Sequence, residues 1–357
     1  PMLVDLLLLR GNIGRPGAGI APIRGHSNVQ GQRTVGISEK AKLVPLDKLA
    51  ELYDFNPPRE DGLTTVDACQ AILDGKVKGF ISLGGNFLRA IPEREQMERA
   101  WPRRRLAVQI ATKLNRSHAV TGDQALILPT LGRTEVDVQA SGPQFVSVED
   151  TVGMVHRSTG KLPPASPDLL SEVAIICRLA RATLGDRVPV DWAAFERDYD
   201  TIRDRIARTV PGHEDYNTRV RAEGGFLLHH PPRDERHFPT IAGRALLTVN
   251  TLEPVECPAG RLLLQTRRSH DQFNTTIYGL DDRYRGVKGG RRVVFVNPAD
   301  IASLGLAEGM RVDLISEFSD AAGNLEERRV KDFLVVPYST PVGNAASYYP
   351  ETNPLVN

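Results

Sequence analysis

The sequence predicts an α/β fold: a parallel α/β sheet domain followed by a C-terminal β-barrel domain. Three observations carry that expectation. Short apolar runs alternate with helical patterns from Thr64 to Leu128, the pattern of a parallel sheet with crossover helices. From about Gly224 onward prolines rise and short strands replace helices, with the spacing of a small barrel. The 357 residues, 41% of them apolar, are enough for two cores. The change of character places the division between Asp215 and Pro239, which gives domains of 1–225 and 226–357.

Taken in order, Leu3 to Leu9 is apolar throughout, and its period does not separate helix from buried strand. Ser38 to Pro58 reads as polar and irregular. Thr64 or Thr65 caps a helix with Val66, Cys69, Ile72 and Leu73 on one face, stopped by Gly75. Gly79–Leu83 reads as a buried strand, Pro92 to Trp101 as a helix, and Leu106–Ile110 and Ala125–Leu128 as further strands. The ends of these strands, at Gly84-Gly85-Asn86, Gln109 to Thr112 and Pro129-Thr130, are polar or glycine-rich. Ligands of open α/β sheets sit beyond such carboxyl ends. Gly142 to Pro164 is a loop with strand character around Phe145 to Val148. Ser166-Pro167-Asp168 predicts a helix start, with Leu169, Leu170, Val173, Ile176, Cys177, Leu179 and Ala180 inward and Gly185 at the end. Asp191 predicts a second helix with Trp192, Phe195, Tyr199, Ile202 and Ile206 on one side. Strands are expected at Arg244–Val249, Arg261–Thr266, Arg292–Val296, Arg311–Ser316 and Asp332–Pro337, with a short helix after Asn297.

Composition excludes several classes. A net charge of +1 gives no polyanion footprint, so nucleic acid is not an expected partner. No apolar run approaches the ~20 residues of a membrane span. Cys69, Cys177 and Cys257 are scattered, which excludes a CxxC-type zinc or iron–sulfur motif within the chain. Low cysteine usage fits a reducing compartment, so the expected location is cytoplasmic. His229, His230 and His237 surround Pro231-Pro232 without cysteine or carboxylate spacing, and a linker is the expectation there. The chain opens on Pro1 in what looks like the middle of an element, so it is expected to be a piece of a longer protein.

The most informative stretch is Gly11 to Gly31, GNIGRPGAGIAPIRGHSNVQG. Its glycines permit positive φ and close backbone approach to a ligand. Consecutive N–H groups there could cradle an anion, and Arg15 and Arg24 add forked donors. Ile20, Ile23 and Val29 are expected to anchor it. The stretch after Gly19 has a proline and no helical pattern, so the strand–glycine–helix order of an NAD fingerprint is absent.

GNIGRPGAG followed by PIRGHSNVQG resembles the pterin-binding loop of the molybdopterin-dependent oxidoreductases related to formate dehydrogenase. The resemblance continues at Leu262 to Asn274, at Phe295 to Ser316 and at Tyr348 to Asn353. It implies the C-terminal half of a catalytic subunit, with 1–225 part of a larger dinucleotide-binding α/β domain and 226–357 a double-psi β-barrel that binds the dinucleotide. The implied cofactor is molybdenum or tungsten held by two molybdopterin guanine dinucleotides. The family's metal-ligating residue lies upstream of the pterin loop, so no metal ligand is assigned here, and a [4Fe-4S] cluster could belong only to the missing N-terminal part.

That cofactor's chemistry names candidates. Pyrophosphates want backbone N–H groups and arginines: Gly14, Gly17, Gly19, Gly84, Gly85, Arg267 and Arg268. A guanine edge suits Asn86, Gln109, Asp123 and Asp271, and a pterin edge suits Asn28, Gln30, His270 and Asn353. Gly25, Thr112 and Thr266 complete the cofactor set. Arg24 is the catalytic candidate, because the family's RGxxNVQG arginine lies near the metal and could orient a small anion and offset developing charge. His26 stands where relatives tend to have glutamine, and its imidazole could tune a proton path. The implied reaction is formate oxidation to carbon dioxide, with a redox partner taking the electrons. The alternatives are nitrate or another oxyanion, and a non-catalytic pterin- or nucleotide-binding module. The isolated chain is expected to be inactive.

Overall fold

The computed structural model describes residues 1–320 and 322–356. In chain order the first elements are helices α1 (Met2–Leu9), α2 (Val29–Thr34), α3 (Leu46–Tyr53) and α4 (Thr65–Leu73). Next come β1 (Gly79–Leu83), α5 (Phe87–Ala90), α6 (Arg94–Ala100), β2 (Leu106–Ala111), α7 (Arg116–Ala119) and β3 (Ala125–Pro129). Short strands follow: β4 (Val138–Gln139), β5 (Gly142–Pro143), β6 (Val146–Glu149) and β7 (Met154–Ser158). Helices α8 (Glu172–Leu184), α9 (Trp192–Arg197), α10 (Asp200–Thr209) and α11 (Tyr216–Arg221) lead to β8 (Phe226–Leu227) and α12 (Pro231–Glu235). The C-terminal elements are β9 (Leu263–Arg267), β10 (Val293–Val296), α13 (Pro298–Ser303), β11 (Arg311–Ser319), β12 (Leu325–Pro337) and β13 (Asn344–Tyr348).

Spatially the chain forms two compact units that are each discontinuous in sequence. One combines Pro1–Val66 with Pro129–Leu252, and the other combines Asp67–Leu128 with the segment from Glu253 on. The fold is mixed α/β, as expected. In the second unit β1, β2 and β3 form a sheet in that order, and β1 pairs with β2 in parallel. A separate five-stranded sheet, ordered β11-β12-β10-β13-β9, curls into half a barrel. All four residues of β10 are buried because both faces are covered. Val294 and Val296 pack with Ile301, Phe333, Val335 and Ala345, while Val293 and Phe295 pack with Val287, Ala346 and Tyr348. A run without polar alternation is what a strand covered on both faces requires. Ile72, Leu88, Ile91, Met97, Ala100 and Trp101 make a third cluster, under β1 and its helices.

The leucine run, whose period left helix and strand open, is a helix, α1. Several expected elements differ. Ser38 to Pro58 is not irregular throughout, since α3 lies within it. Helix α8 does not begin at Ser166-Pro167-Asp168. Leu170 bridges Thr130, its carbonyl accepting from the Thr130 hydroxyl at 2.9 Å and from Leu131 N–H at 3.0 Å. That holds Leu169–Leu170 out of the helix, and Ser171 becomes the cap, its hydroxyl accepting from Ala174 N–H at 3.1 Å. The inward residue of the next turn is then Ile175, with Ile176 exposed. The single helix expected from Asp191 is broken at Asp198–Tyr199. The Tyr199 hydroxyl donates to Asp137 at 2.5 Å and its N–H to Gln144 at 3.0 Å, which turns the chain between α9 and α10. Arg244–Val249 is not a strand: it has no ladder partner, and Leu246, Leu247 and Val249 are exposed. No helix among the described residues is long and apolar enough to cross a membrane.

Candidate functional site

In the first unit the site is built on the Gly11–Gly31 loop. Gly14, Gly17 and Gly19 all have positive φ. At Gly14 glycine is required twice over, because a Cβ would also lie 2.1 Å from Arg236 Cγ. Of the expected anchors Ile20 and Ile23 are exposed and Val29 is half-buried, while Ile13 is the buried residue. Polar contacts hold the loop instead. Gly14 N–H donates to Arg233 O at 2.7 Å, and Arg236 Nε donates to Ile13 O at 2.9 Å. Thr151 Oγ1, in the turn between β6 and β7, donates to Pro22 O at 2.8 Å, and Arg133 donates to Ser27 Oγ at 2.8 Å.

The second half of the loop is tied to the end of β6. Asn28, at φ 66°, accepts from Glu149 N–H through Oδ1 at 3.0 Å. Gln30 Nε2 donates to Glu149 Oε1 at 2.8 Å, and Gln30 Oε1 accepts from Arg24 Nη2 at 3.1 Å. Arg24, Gly25 and His26 are exposed, so the guanidinium is available to a solute while one of its nitrogens is held. Glu149 is buried, and its Oε2 has no hydrogen-bond donor among the described residues.

In the second unit the carboxyl ends of β1 and β2 carry a buried polar network. Ser117 Oγ donates to Asn86 Oδ1 at 2.9 Å and accepts from Leu88 N–H at 3.1 Å, and Gln109 Nε2 donates to Ser117 O at 3.1 Å. Asn115 caps α7 and donates to Gly85 O at 2.8 Å, while His118 Nδ1 accepts from Asn115 N–H. Gly84 and Gly85 both have positive φ with open space where a Cβ would stand. Thr112 follows β2 and is exposed. Asp123 lies elsewhere: its neighbour Gln124 accepts from Ala107 N–H at the amino end of β2. The structure therefore gathers Gly84, Gly85, Asn86, Gln109 and Thr112 at the carboxyl end, without Asp123.

The same unit holds an arginine-rich loop cluster after β9 and β13. Thr266 and Arg267 end β9, and Tyr349 N–H donates to Arg267 O at 2.8 Å. Arg268 donates to Asn274. Arg94, from α6, donates to Pro350 O, and burial together with neighbouring Arg89 lowers its pKa to about 10. His270 stacks on Tyr284 at 4.0 Å with Nδ1 3.5 Å from Asp282. Asp271 is exposed, and buried Asn353 donates to Arg89 O at 3.4 Å. Two ion pairs, each with one buried member (Arg291 and Asp282) and absent from the sequence reading, organise these loops. Arg291 reaches Glu351 at 3.0 Å, Ser269 Oγ at 2.8 Å and Gln272 Oε1 at 2.8 Å. Asp282 receives Arg285 at 2.6 Å and the Tyr348 hydroxyl at 2.8 Å. Burial alone would raise the Asp282 pKa, and those two donors outweigh it and hold the carboxyl below its usual range. Arg291 precedes the apolar run VVFV and Glu351 follows ASYYP, and those neighbours were the signal that a charge there must be paired, whereas Asp282 and Arg285 lie in the charged stretch DDRYR, which gives no such signal.

The donor sets fit an anionic dinucleotide. Arg94, Arg267 and Arg285 each keep a buried Nε–H with no acceptor among the described residues, and such a group costs free energy unless a ligand supplies the acceptor. Among the described residues no three His, Cys, Asp or Glu side chains could hold a metal ion together. His229 instead meets Glu235 at 2.8 Å, and His230 caps α12.

Residues 262–347 match the family described as molydopterin dinucleotide binding domain, so the chain carries that domain in its C-terminal region. An uncharacterized oxidoreductase of Mycobacterium tuberculosis (strain ATCC 25618 / H37Rv) is 60% identical over 354 residues, covering 99% of this chain and 45% of that protein. Protein YdeP of Escherichia coli (strain K12) is 45% identical over 357 residues, covering 99% of this chain and 46% of that protein. YrhE of Bacillus subtilis (strain 168), provisionally described as a formate dehydrogenase, is 35% identical over 92 residues, 22% of this chain and 9% of that protein. The chain thus spans about half the length of the curated relatives it matches along its whole length.

Proposed function

We propose that this chain is the C-terminal half of the catalytic subunit of a molybdopterin oxidoreductase that oxidises a small anion, formate being the favoured substrate. The observation that carries the reading is Arg24: an exposed guanidinium on a glycine-rich loop, fixed through Gln30 to a buried carboxylate. The dinucleotide-binding match at 262–347 and the partial likeness to YrhE support the cofactor and substrate classes. In the first unit, taken by itself, Gly14, Gly17, Gly19, Gly25, Asn28 and Gln30 would contact pterin and phosphate groups. In the second unit, taken by itself, Gly84, Gly85, Asn86, Gln109, Thr112, Thr266, Arg267, Arg268, His270, Asp271 and Asn353 would contact dinucleotide groups, and Asp123, at the amino end of β2, would not. We place the α/β domain at 1–225 and the double-psi barrel at 226–357.

The cofactor's molybdenum or tungsten supplies a two-electron acceptor when bound. The chain's own work is electrostatic. Arg24 binds the carboxylate of formate and orients it. As formate becomes carbon dioxide, releasing one proton and two electrons, a held guanidinium needs no reorganisation to meet the changing charge. His26, two residues along the same loop, would take the proton. The electrons leave to a redox partner, and a cluster that could carry them would lie in the N-terminal half. Nitrate or another oxyanion would use the same guanidinium, so Arg24 defines the anion class more firmly than the substrate.

The test is turnover by the intact gene product with formate and with nitrate, before and after Arg24→Ala. Loss of a positioned charged donor is expected to cost about 100-fold or more in kcat/KM, and Arg24→Lys should recover only part of it. Turnover unchanged in Arg24→Ala overturns the assignment. Nitrate reduction without formate oxidation selects the other anion.

A further inference from the structure

We infer that Glu149 is a positioning residue that aims Arg24 by fixing which way the Gln30 side-chain amide faces. The inference rests on the reading of Arg24 as the substrate-binding group. An amide can present either its oxygen or its NH2 to a neighbour, and the two orientations differ little in shape. An ionised carboxylate removes that freedom because it only accepts. Glu149 Oε1 takes Gln30 Nε2 at 2.8 Å, so Gln30 Oε1 is the atom left to face Arg24, which it meets at 3.1 Å. With the amide reversed, its NH2 would oppose a guanidinium that has only donors, and Arg24 would be released.

The surroundings show that this arrangement is built. Glu149 is buried, and its backbone N–H is taken by Asn28. Gly31 has no room for a side chain: a Cβ there would lie 2.1 Å from Asn28 Oδ1 and 3.1 Å from Glu149 Cβ. The turn that follows Glu149 is closed by Asp150, which accepts from Val152 and Met154 N–H at 2.9 Å each, and it carries the Thr151 contact to Pro22. The end of β6 therefore sets both ends of the segment from Pro22 to Gln30. No other residue bridges Arg24 and Glu149 in the described hydrogen bonds. Arg233 stands near Glu149 but is occupied by Asp234 and by the carbonyls of Val152 and Leu228.

The test uses the intact protein and two readouts. Glu149→Gln keeps the shape and restores the ambiguity of the amide. The double exchange Gln30→Glu with Glu149→Gln rebuilds the chain: the new carboxylate at position 30 accepts both from the amide at 149 and from Arg24. The first readout is the trypsin cleavage rate at the Arg24–Gly25 bond, followed by mass spectrometry, with cleavage after Arg10 and Arg59 as internal controls. Glu149→Gln should speed cleavage at Arg24 alone by about tenfold, the loss of one charge-assisted hydrogen bond holding the loop. The double exchange should return it to within about twofold of the parent. The second readout is the KM for formate, which should rise in Glu149→Gln and recover in the double exchange.

Unchanged cleavage at Arg24 in Glu149→Gln overturns the inference, whatever happens to turnover. Cleavage that rises equally at all three arginines also overturns it, because that is general loosening. Failure of the catalytic reading looks different: Arg24→Ala keeps full turnover while Glu149→Gln still frees the Arg24 bond, and positioning then stands without the substrate role.

Discussion

Arg104 is the least compensated charge in the second unit. All three guanidinium nitrogens are buried with no acceptor among the described residues, and the group lies 3.5 Å over the Trp101 ring. Burial lowers its pKa to about 10, so it remains charged at neutral pH. Stacking on an indole returns about 2 kcal/mol or somewhat more for a desolvated cation, less than the several kcal/mol that a desolvated, unpaired cation costs. Arg104→Met should therefore stabilise the protein by about 1–3 kcal/mol in urea unfolding at pH 7. A loss of stability would show that the ring contact outweighs desolvation. Asp282 is the opposite case, a buried carboxylate with two donors and a lowered pKa. A carboxyl whose folded pKa is depressed contributes stability that is present above its unfolded value and lost as pH falls through the folded one. Asp282→Asn should destabilise the protein at pH 7, and the gap from the parent should narrow on acidification below about 4, where the unfolded carboxyl protonates. A gap independent of pH would remove the charge from the account.

At the scale of elements, caps and turns decide where the chain departs from its pattern. Ser166 and Ser171 both precede helical sequence, and only Ser171 caps α8. Ser171→Ala should cost about 1 kcal/mol in thermal or urea unfolding, plus the 2.6 Å contact with the Tyr199 hydroxyl, while Ser166→Ala should be close to neutral. The reverse result would put the helix start where the sequence suggested. Gly31→Ala should displace Asn28 from Glu149 N–H and cost about 1–2 kcal/mol. Strands β1, β2 and β10 were legible because apolar runs of four to six residues between glycine, proline and charge leave few other readings, although β1 is not the buried strand expected, since Ile81 and Leu83 are exposed. Helix α13 was legible from Asn297-Pro298, cap and first position, and Asn297 does accept from Ala299 N–H. The α9–α10 break was not legible, because it depends on Asp137 and Gln144 reaching Tyr199 from more than 50 residues away. The same applies to the site: the glycines and Arg24 are read directly from one loop, whereas Glu149 becomes visible only when β6 is folded against it.

At the scale of the whole molecule, the second unit joins two separate stretches of chain, each with its own apolar cluster, through polar contacts. Arg94 reaches Pro350 O, Arg328 pairs with Glu93 at 2.5 Å, and Asn86 donates to Thr275 O at 3.1 Å. Residues 253–357 alone would leave those partners unmet, so that fragment should show hydrogen exchange faster than the same strands in the intact protein, and equal protection would show the barrel to be self-sufficient. The central claim, a molybdopterin oxidoreductase, is tested most directly by metal and pterin analysis of the intact gene product from cells that make the cofactor. The account predicts near-stoichiometric molybdenum or tungsten with a pair of pterins per metal. A well-folded product containing neither would contradict it and leave a binding module on the same fold.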